Sequence, residues 1–293
     1  MAVVNTNVNA SVAQNALVRN ERNMNTAMER LSTGQRINSA SDDAAGLAIA
    51  SRMTSQIKGL ETGVRNANDA ISMIATADGA LVEVGNMLQR MRELALQASN
   101  GTTASADRDY LNMEYENLIT EIERIAQNTQ WNGKTILTGD ADSTDDSTVA
   151  FQVGANGGQT IAVNFGDISQ SGATTFAQFE LSAHAGSESH ISGATTAAAQ
   201  THITGVLTYV DSAITAVNTQ RSTYGAAMNQ LTYAVDNLSN VKVNSEAARS
   251  RIADTDYAQE TSELARTQII QQAGTAMLAQ ANQLPQTVLS LLQ

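Results

Sequence analysis

Two strict seven-residue apolar repeats, one at each end of the 293-residue chain, constrain its fold more than any other feature. Near the N-terminus Ala10, Leu17, Met24 and Leu31 recur every seventh position, with Ala13 and Ala27 three positions on. Near the C-terminus Ile270, Met277, Leu284 and Leu291 do the same. A stripe of this period is narrow and needs a partner helix to cover it. The two ends are therefore expected to pair with each other as a terminal coiled coil. Each stripe is short of large side chains and flanked by Asn, Gln, Ser and Thr. Neither end can bury much surface alone, which points to order gained on assembly.

The same period continues inward. From about Asp43 to Ser99 one column is Met53, Leu60, Ala67, Ile74, Leu81 and Leu88. A second is Ala50, Ile57, Val64 and Ile71, which slips at Asp78 and Gly85, where Val84 and Met91 take over. At 1.5 Å per residue that helix would run about 80 Å, so only an elongated bundle could cover it. Ser41-Asp42-Asp43 is a helix start and Asn100-Gly101 a stop. A second helix is expected from about Ser105 to Asn128, with Leu111, Leu118, Ile122 and Ile125 as its stripe. Trp131-Asn132-Gly133 breaks the pattern. Thr148 to Val153 and Thr160 to Phe165 then alternate across a Gly/Asn-rich turn, the signature of a hairpin. Helix returns from about Ala198 to Ala248, with columns at Val210, Val217, Tyr224, Leu231 and Leu238 and at Leu207, Ile214, Met228 and Val235, the latter interrupted by Arg221. Residues 249–254 read as a link to the last helix. The fold class that follows is mainly α: an elongated antiparallel helical bundle or coiled coil with a small β-hairpin region.

Composition narrows the function classes. Aromatics are 4% and proline occurs once, poor material for a compact core. A net charge of −12 without basic clusters argues against nucleic acid. No run approaches the ~18 apolar residues of a membrane span. The start, MAVVNTNVNAS, lacks a basic region followed by an apolar one, so a cleaved secretory signal is not expected. The chain has no cysteine, which removes disulfides and thiol chemistry. His184, His190 and His202 lack the spacing of a metal set, and Gly154–Gly158 lacks the Lys and Ser/Thr of a phosphate loop. Asp140, Asp142, Asp145 and Asp146 lack the pattern of a calcium loop. No catalytic residues, metal or cofactor are expected.

Several longer runs carry a resemblance. RLSTGQRINSASDDAAGLAIASR (30–52), LQRMRELALQASNGT (88–102), EIERIAQNTQWNGKTIL (121–137), FQVGANGGQTI (151–161), SRIADTDYAQE (250–260) and MLAQANQLPQTVLSLLQ (277–293) resemble the bacterial flagellins, in the order found there. The sequence departs from the family at Gln230, where an arginine is common, and at its last residue, Gln293. The resemblance implies an exported, self-assembling filament subunit for swimming motility, secreted through the flagellar export route to an extracellular filament. It implies partners: itself as a homopolymer, an export chaperone, and cap and junction proteins. It also implies three parts. Residues 1–42 and 254–293 would form the inner tube, 43–139 and 200–253 the outer helical bundle, and 140–199 the hairpin plus a short variable surface from about Gly166 to Ala199. Self-assembly would fall to Leu17, Met24, Leu31, Ile270, Met277, Leu284 and Leu291.

Within the same resemblance, LQRMRELALQ matches the site read by a vertebrate Toll-like receptor. Leu88, Gln89, Arg90, Arg92, Glu93, Leu94 and Gln97 correspond, with Glu114 on the neighbouring helix. Leu88 also belongs to the apolar column. A hook–filament junction protein is the alternative, since it shares the terminal helices; a displayed adhesin or enzyme is a third reading, disfavoured by the short insert.

Overall fold

The computed structural model describes residues 7–139, 147–168, 191 and 196–290, without side chains at 196–201 and 284–290. Five helices are described: α1 (Val8–Thr33), α2 (Ala44–Ala98), α3 (Ser105–Asn128), α4 (Thr196–Ala253) and α5 (Tyr257–Ser290). Four short strands lie between α3 and α4: β1 (Gln130–Trp131), β2 (Lys134–Thr135), β3 (Thr148–Gln152) and β4 (Thr160–Asn164). The chain divides into two compact units, Met1–Ile57 with Val243–Gln293, and Lys58–Lys242.

In the first unit α1 runs antiparallel to α5. Asn7 caps α1, its side chain accepting from the Ala10 N–H at 3.1 Å, and Gly34 ends it at a left-handed φ of 71°. Asp43 caps α2 by accepting from the Gly46 N–H at 2.8 Å. Residues 249–253 are the last turn of α4 rather than a link, because nothing in Arg-Ser-Arg-Ile-Ala breaks a helix. The break falls at Asp254–Asp256, where the Asp256 carboxylate accepts from the Ala258 N–H at 2.9 Å and starts α5.

The second unit has one hydrophobic core, drawn from α2, α3, α4 and β4. Leu60, Ala67, Ile74, Leu81 and Leu88 are buried as the repeat requires. The second α2 column differs from expectation. Gly63, Ala70, Ala77, Val84, Met91 and Ala98 are buried at an unbroken seven-residue spacing, whereas Val64 and Ile71 are half-buried beside it. The same holds in α4, where Val206, Ala213, Gln220 and Ala227 are buried and Leu207, Ile214 and Met228 flank them. In α3 the buried apolar residues are Tyr115, Ile122 and Ala126, with Leu111, Leu118 and Ile125 half-buried. Small residues fill the seam and their bulkier neighbours cover its edges. Counting bulk alone misplaces such a seam by one residue.

Two of the three interruptions of the heptad pattern account for each other. Arg221 Nε donates to Asp78 Oδ1 at 2.8 Å, joining α4 to α2. A second link, from Arg92 Nε to Asp211 Oδ1 at 2.6 Å, joins the same two helices. The expected hairpin pairs Thr148 with Asn164 and Gln152 with Thr160. A smaller one, which sequence patterning missed, pairs Gln130 with Thr135 across Asn132 and Gly133, both at positive φ (50° and 79°). Two positive φ values are what a tight two-residue hairpin turn requires.

The hairpin is docked on α2 through glycine. A Cβ on Gly63 would overlap the Val153 carbonyl oxygen, and one on Gly59 would lie 3.0 Å from the Ala155 Cβ. Asn66 Nδ2 donates to the Gln152 carbonyl at 2.9 Å. At the other end of the hairpin, the Tyr224 hydroxyl donates to the Phe165 carbonyl at 2.7 Å and Gln220 to the Asn164 carbonyl at 2.7 Å. Burial pushes the Tyr224 phenol well above its usual range.

Candidate assembly interface

The α1/α5 pair is a seam of small and polar residues. From α1 it takes Ala10, Ala13, Leu17, Asn20, Met24, Ala27 and Leu31, all half-buried or buried. From α5 it takes Glu260, Leu264, Thr267, Gln271, Gly274, Leu278 and Ala281. Both sets alternate spacings of three and four, as a coiled-coil seam does. Contacts between the two helices keep one register throughout. Asn7 Nδ2 donates to the Ala281 carbonyl at 2.9 Å, Leu17 packs where a Gly274 side chain would stand, and Arg30 reaches Glu260 at 3.7 Å.

Leu17, Met24 and Leu31 therefore lie in the pair as expected, but the C-terminal column does not. Ile270 and Met277 are 43% and 62% exposed, about a quarter-turn from the seam. The helix that pairs with α1 presents Gly274 and Leu278 instead, because a glycine lets α1 approach closely and a large side chain there would not. Leu284 has no described side chain, and Leu291 lies outside the described residues. Ile269, Val8 and Val12 are also exposed, at 65%, 60% and 63%. The terminal pair thus carries exposed apolar side chains that none of the described residues covers.

Asn20, Thr267 and Gln271 are seam residues that apolar counting passes over. Asn20 occupies the position the Ala13/Leu17 and Met24/Ala27 pattern leaves open, which was the available signal. It donates to the Thr267 carbonyl at 2.8 Å and to Gln271 Oε1 at 3.1 Å.

Where α1 turns into α2, and α4 into α5, the two corners are clasped. The Arg36 N–H donates to the Ala253 carbonyl at 2.7 Å, the Thr255 N–H to the Gly34 carbonyl at 3.0 Å, and Arg36 Nη2 to the Ile252 carbonyl at 2.7 Å. The Tyr257 hydroxyl lies 2.8 Å from where a Gly34 Cβ would be. Runs 30–52 and 250–260 therefore meet in space. Asp42 folds back on the same corner, accepting from the Asn38 and Ser39 N–H groups at 3.1 and 2.9 Å. Those bonds, the Ser39 N–H foremost, hold its carboxyl below the usual range.

The receptor-like segment divides by burial. Leu88 and Leu94 are wholly buried in the core, as their inward place on α2 requires. Gln89, Arg90, Arg92, Glu93, Gln97 and Glu114 are exposed. Arg90 bridges to Glu114 on α3 at 2.8 Å and to Glu93 at 3.1 Å, and these bonds push its already high pKa further up. Arg92 turns instead toward Asp211 on α4. The helical patterning separates the two arginines by about 200°.

The expected variable segment, Gly166 to Ala199, contains packed residues at both flanks. Asp167 forms a β-bridge with Thr138, and Ile168 is buried with its N–H donated to the Leu137 carbonyl at 3.0 Å. Ile191 is buried too, its N–H donating to Asn112 Oδ1 at 3.1 Å, and α4 begins at Thr196. Apolar side chains at both flanks, Ile168 and Ile191, belong to the core. Residues 169–190 and 192–195, with His184 and His190, lie outside the described residues. Among the described residues no group of His, Asp and Glu is arranged to hold a metal, and no helix is long and apolar enough to cross a membrane.

Long helices with slim seams, paired termini and exposed apolar side chains define a helical structural protein. Comparison with known proteins gives the family. The N-terminal helical region of bacterial flagellin matches residues 4–142, and the C-terminal helical region matches 207–292. Flagellin of Halalkalibacterium halodurans is 44% identical over 292 residues, covering 99% of this chain and 100% of the relative. Flagellin of Xenorhabdus nematophila is 42% identical, covering 100% and 99%. A structure described as a flagellar hook-associated protein of Vibrio parahaemolyticus covers 73% of this chain and all of its own, with a TM-score of 0.59 at 16% identity, a likeness of fold alone. The chain belongs to the bacterial flagellins, the structural subunits of the flagellar filament.

Proposed function

We propose that this flagellin is exported unfolded and polymerises with copies of itself through its terminal helices. Residues 1–42 and 254–293 form the inner layer of the filament, 43–139 and 200–253 the outer layer, and the segment within 140–199 the outer surface. The single observation that carries this reading is the set of apolar side chains left exposed on the terminal pair, Val8, Val12, Ile269, Ile270 and Met277, beside its covered seam. Apolar surface of this kind on a water-soluble subunit marks a binding face. A seam rich in Ala, Gly and Asn buries little, which suits a segment that stays unfolded during export. Chaperone, cap and junction proteins are the further partners in this reading. The test is negative-stain electron microscopy of purified chain seeded with short filaments. Long filaments are expected; closed rings or short caps would favour a junction protein instead.

Recognition by a host Toll-like receptor is the second part of the proposal. It is supported by the exposed cluster of Gln89, Arg90, Glu93, Gln97 and Glu114. Arg90 has a planar multi-donor head held in place by two carboxylates, and such anchors dominate interfaces. Arg90→Ala is expected to weaken signalling by monomer in a receptor-reporter assay by about tenfold or more, the loss of one well-placed anchor. Equal signalling at matched circular dichroism would remove Arg90 from the site.

A further inference from the structure

The terminal seam is short of shape. Its α1 side is Ala10, Ala13, Leu17, Met24, Ala27 and Leu31, and its α5 side includes Gly274 and Ala281. Its one shape-specific contact is Leu17 against Gly274; elsewhere a slip of one heptad sets small residues against other small or flexible ones. Against this stands one polar node. Asn20 is 7% exposed and Thr267 1%, and among the described residues the Asn20 amide donates to the Thr267 carbonyl and Gln271 Oε1. Slipping α5 by seven residues puts Asn20 opposite Glu260 and Leu264 in one direction, and opposite Gly274 and Leu278 in the other. Either slip exchanges the Thr267 carbonyl for the equivalent backbone carbonyl of Glu260 or Gly274, but replaces the Gln271 side-chain acceptor with Leu264 or Leu278, so one amide hydrogen of Asn20 is left facing an apolar group. A buried donor without a partner is penalised more than a made hydrogen bond gains, so the node discriminates against the slipped state more than it stabilises the correct one.

We infer that Asn20, with Thr267 and Gln271, is the register lock of the terminal helix pair. It selects one alignment of α1 on α5 and thereby sets the level along α1 at which the outward α5 residues, Ile270 and Met277 among them, stand for the next copy. The role of that outward face rests on the assembly reading above, but the register does not. Asn20 is a positioning residue: it touches only its own chain and acts through the alignment it sets. Its counterpart in the second unit is the Asp78–Arg221 pair, which likewise sits where the apolar column is interrupted.

The chain has no cysteine, so paired cysteine substitutions report register without background. Ala10→Cys with Ala281→Cys reports the observed alignment, in which Asn7 reaches Ala281. Leu17→Cys with Ala281→Cys reports a one-heptad slip, because in the observed register those positions are about 10 Å apart along the helix, beyond disulfide reach. The full chain is oxidised under seeded assembly conditions, and cross-linking is read in pellet and supernatant together. With Asn20 present, the first pair is expected to close at least about tenfold more than the second, as an unmade buried hydrogen bond implies. In Asn20→Leu and Asn20→Ala backgrounds, the two pairs are expected to close to similar extents. The alanine variant separates loss of the amide from overpacking by leucine, and hydrogen exchange in residues 60–95 confirms that the second unit stays folded. Retention of the tenfold preference in the Asn20→Ala background, or equal closure with Asn20 in place, would overturn the inference. If register is lost yet normal filaments form, the lock stands and the assembly reading fails.

Discussion

A single glycine decides how closely the hairpin sits on α2. Gly63 faces the Val153 carbonyl, where backbone rather than a flexible side chain would have to move, whereas Gly79 in the same helix has nothing within 4 Å of a built Cβ. Gly63→Ala is therefore expected to destabilise the chain by about 1–3 kcal/mol, the range for overpacking. Gly79→Ala should stabilise it by about 0.4–1 kcal/mol, through the entropy of the unfolded chain. Urea unfolding followed by circular dichroism distinguishes the two; equal and small effects would mean that the hairpin contact is not close. Asp42 offers a test by pH. Because its folded pKa lies below the free value, its contribution is in place above about pH 4 and is lost as pH falls through the lowered value. The Asn38 and Ser39 amides should then exchange faster at acid pH, and Asp42→Asn should show that faster exchange at neutral pH as well. Both residues were visible in the sequence, Asp42 as part of a helix start and Gly63 as a letter with no stated role. Only the neighbour, a carbonyl ninety residues downstream in sequence, gives that glycine a reason.

Among the elements, α5 is where periodicity and structure part. Ile270 and Met277 carry the apolar repeat, yet Gly274 and Leu278 meet α1. The consequence is a difference between neighbouring positions. Met277→Asp places a charge on a surface that is 62% exposed in the subunit, so folding should be unaffected. Assembly would bury that charge without a partner in every copy, at several kcal/mol each, so filament formation should be lost. Leu278→Asp puts the charge in the seam itself and should loosen the α1/α5 pair before any assembly. Sedimentation after seeding, with hydrogen exchange on the soluble chain, separates these outcomes; filaments of normal length from Met277→Asp would remove that face from assembly. In α2 and α4 the same displacement recurs by one residue, for a common reason. Close helix packing selects small residues at the seam and pushes bulk to its edges, and a count of apolar letters follows the bulk.

For the molecule as a whole, the segment between Ile168 and Ile191 sets where the chain tolerates change. Replacing 169–190 with a short Gly-Ser loop keeps both buried isoleucines and should leave thermal unfolding and seeded assembly nearly unchanged. Removing 166–199 also takes Ile168, Ile191 and the first turn of α4, and loss of the two buried isoleucines alone should cost on the order of 4–10 kcal/mol. Equal melting temperatures for the two deletions would show that these anchors carry no weight. Sequence by itself determined the helices, their near limits, the hairpin, the pairing of the two ends and the family, because each rests on local period, turn chemistry or extended motifs. The tertiary structure decided which side of each stripe is buried, that Asp78 answers Arg221, that the corner motifs clasp each other, and that Asn20 has partners 247 and 251 residues away. Period names a face of a helix to within a residue or so, but only the shape and polarity of the opposing helix select the line along which the two meet.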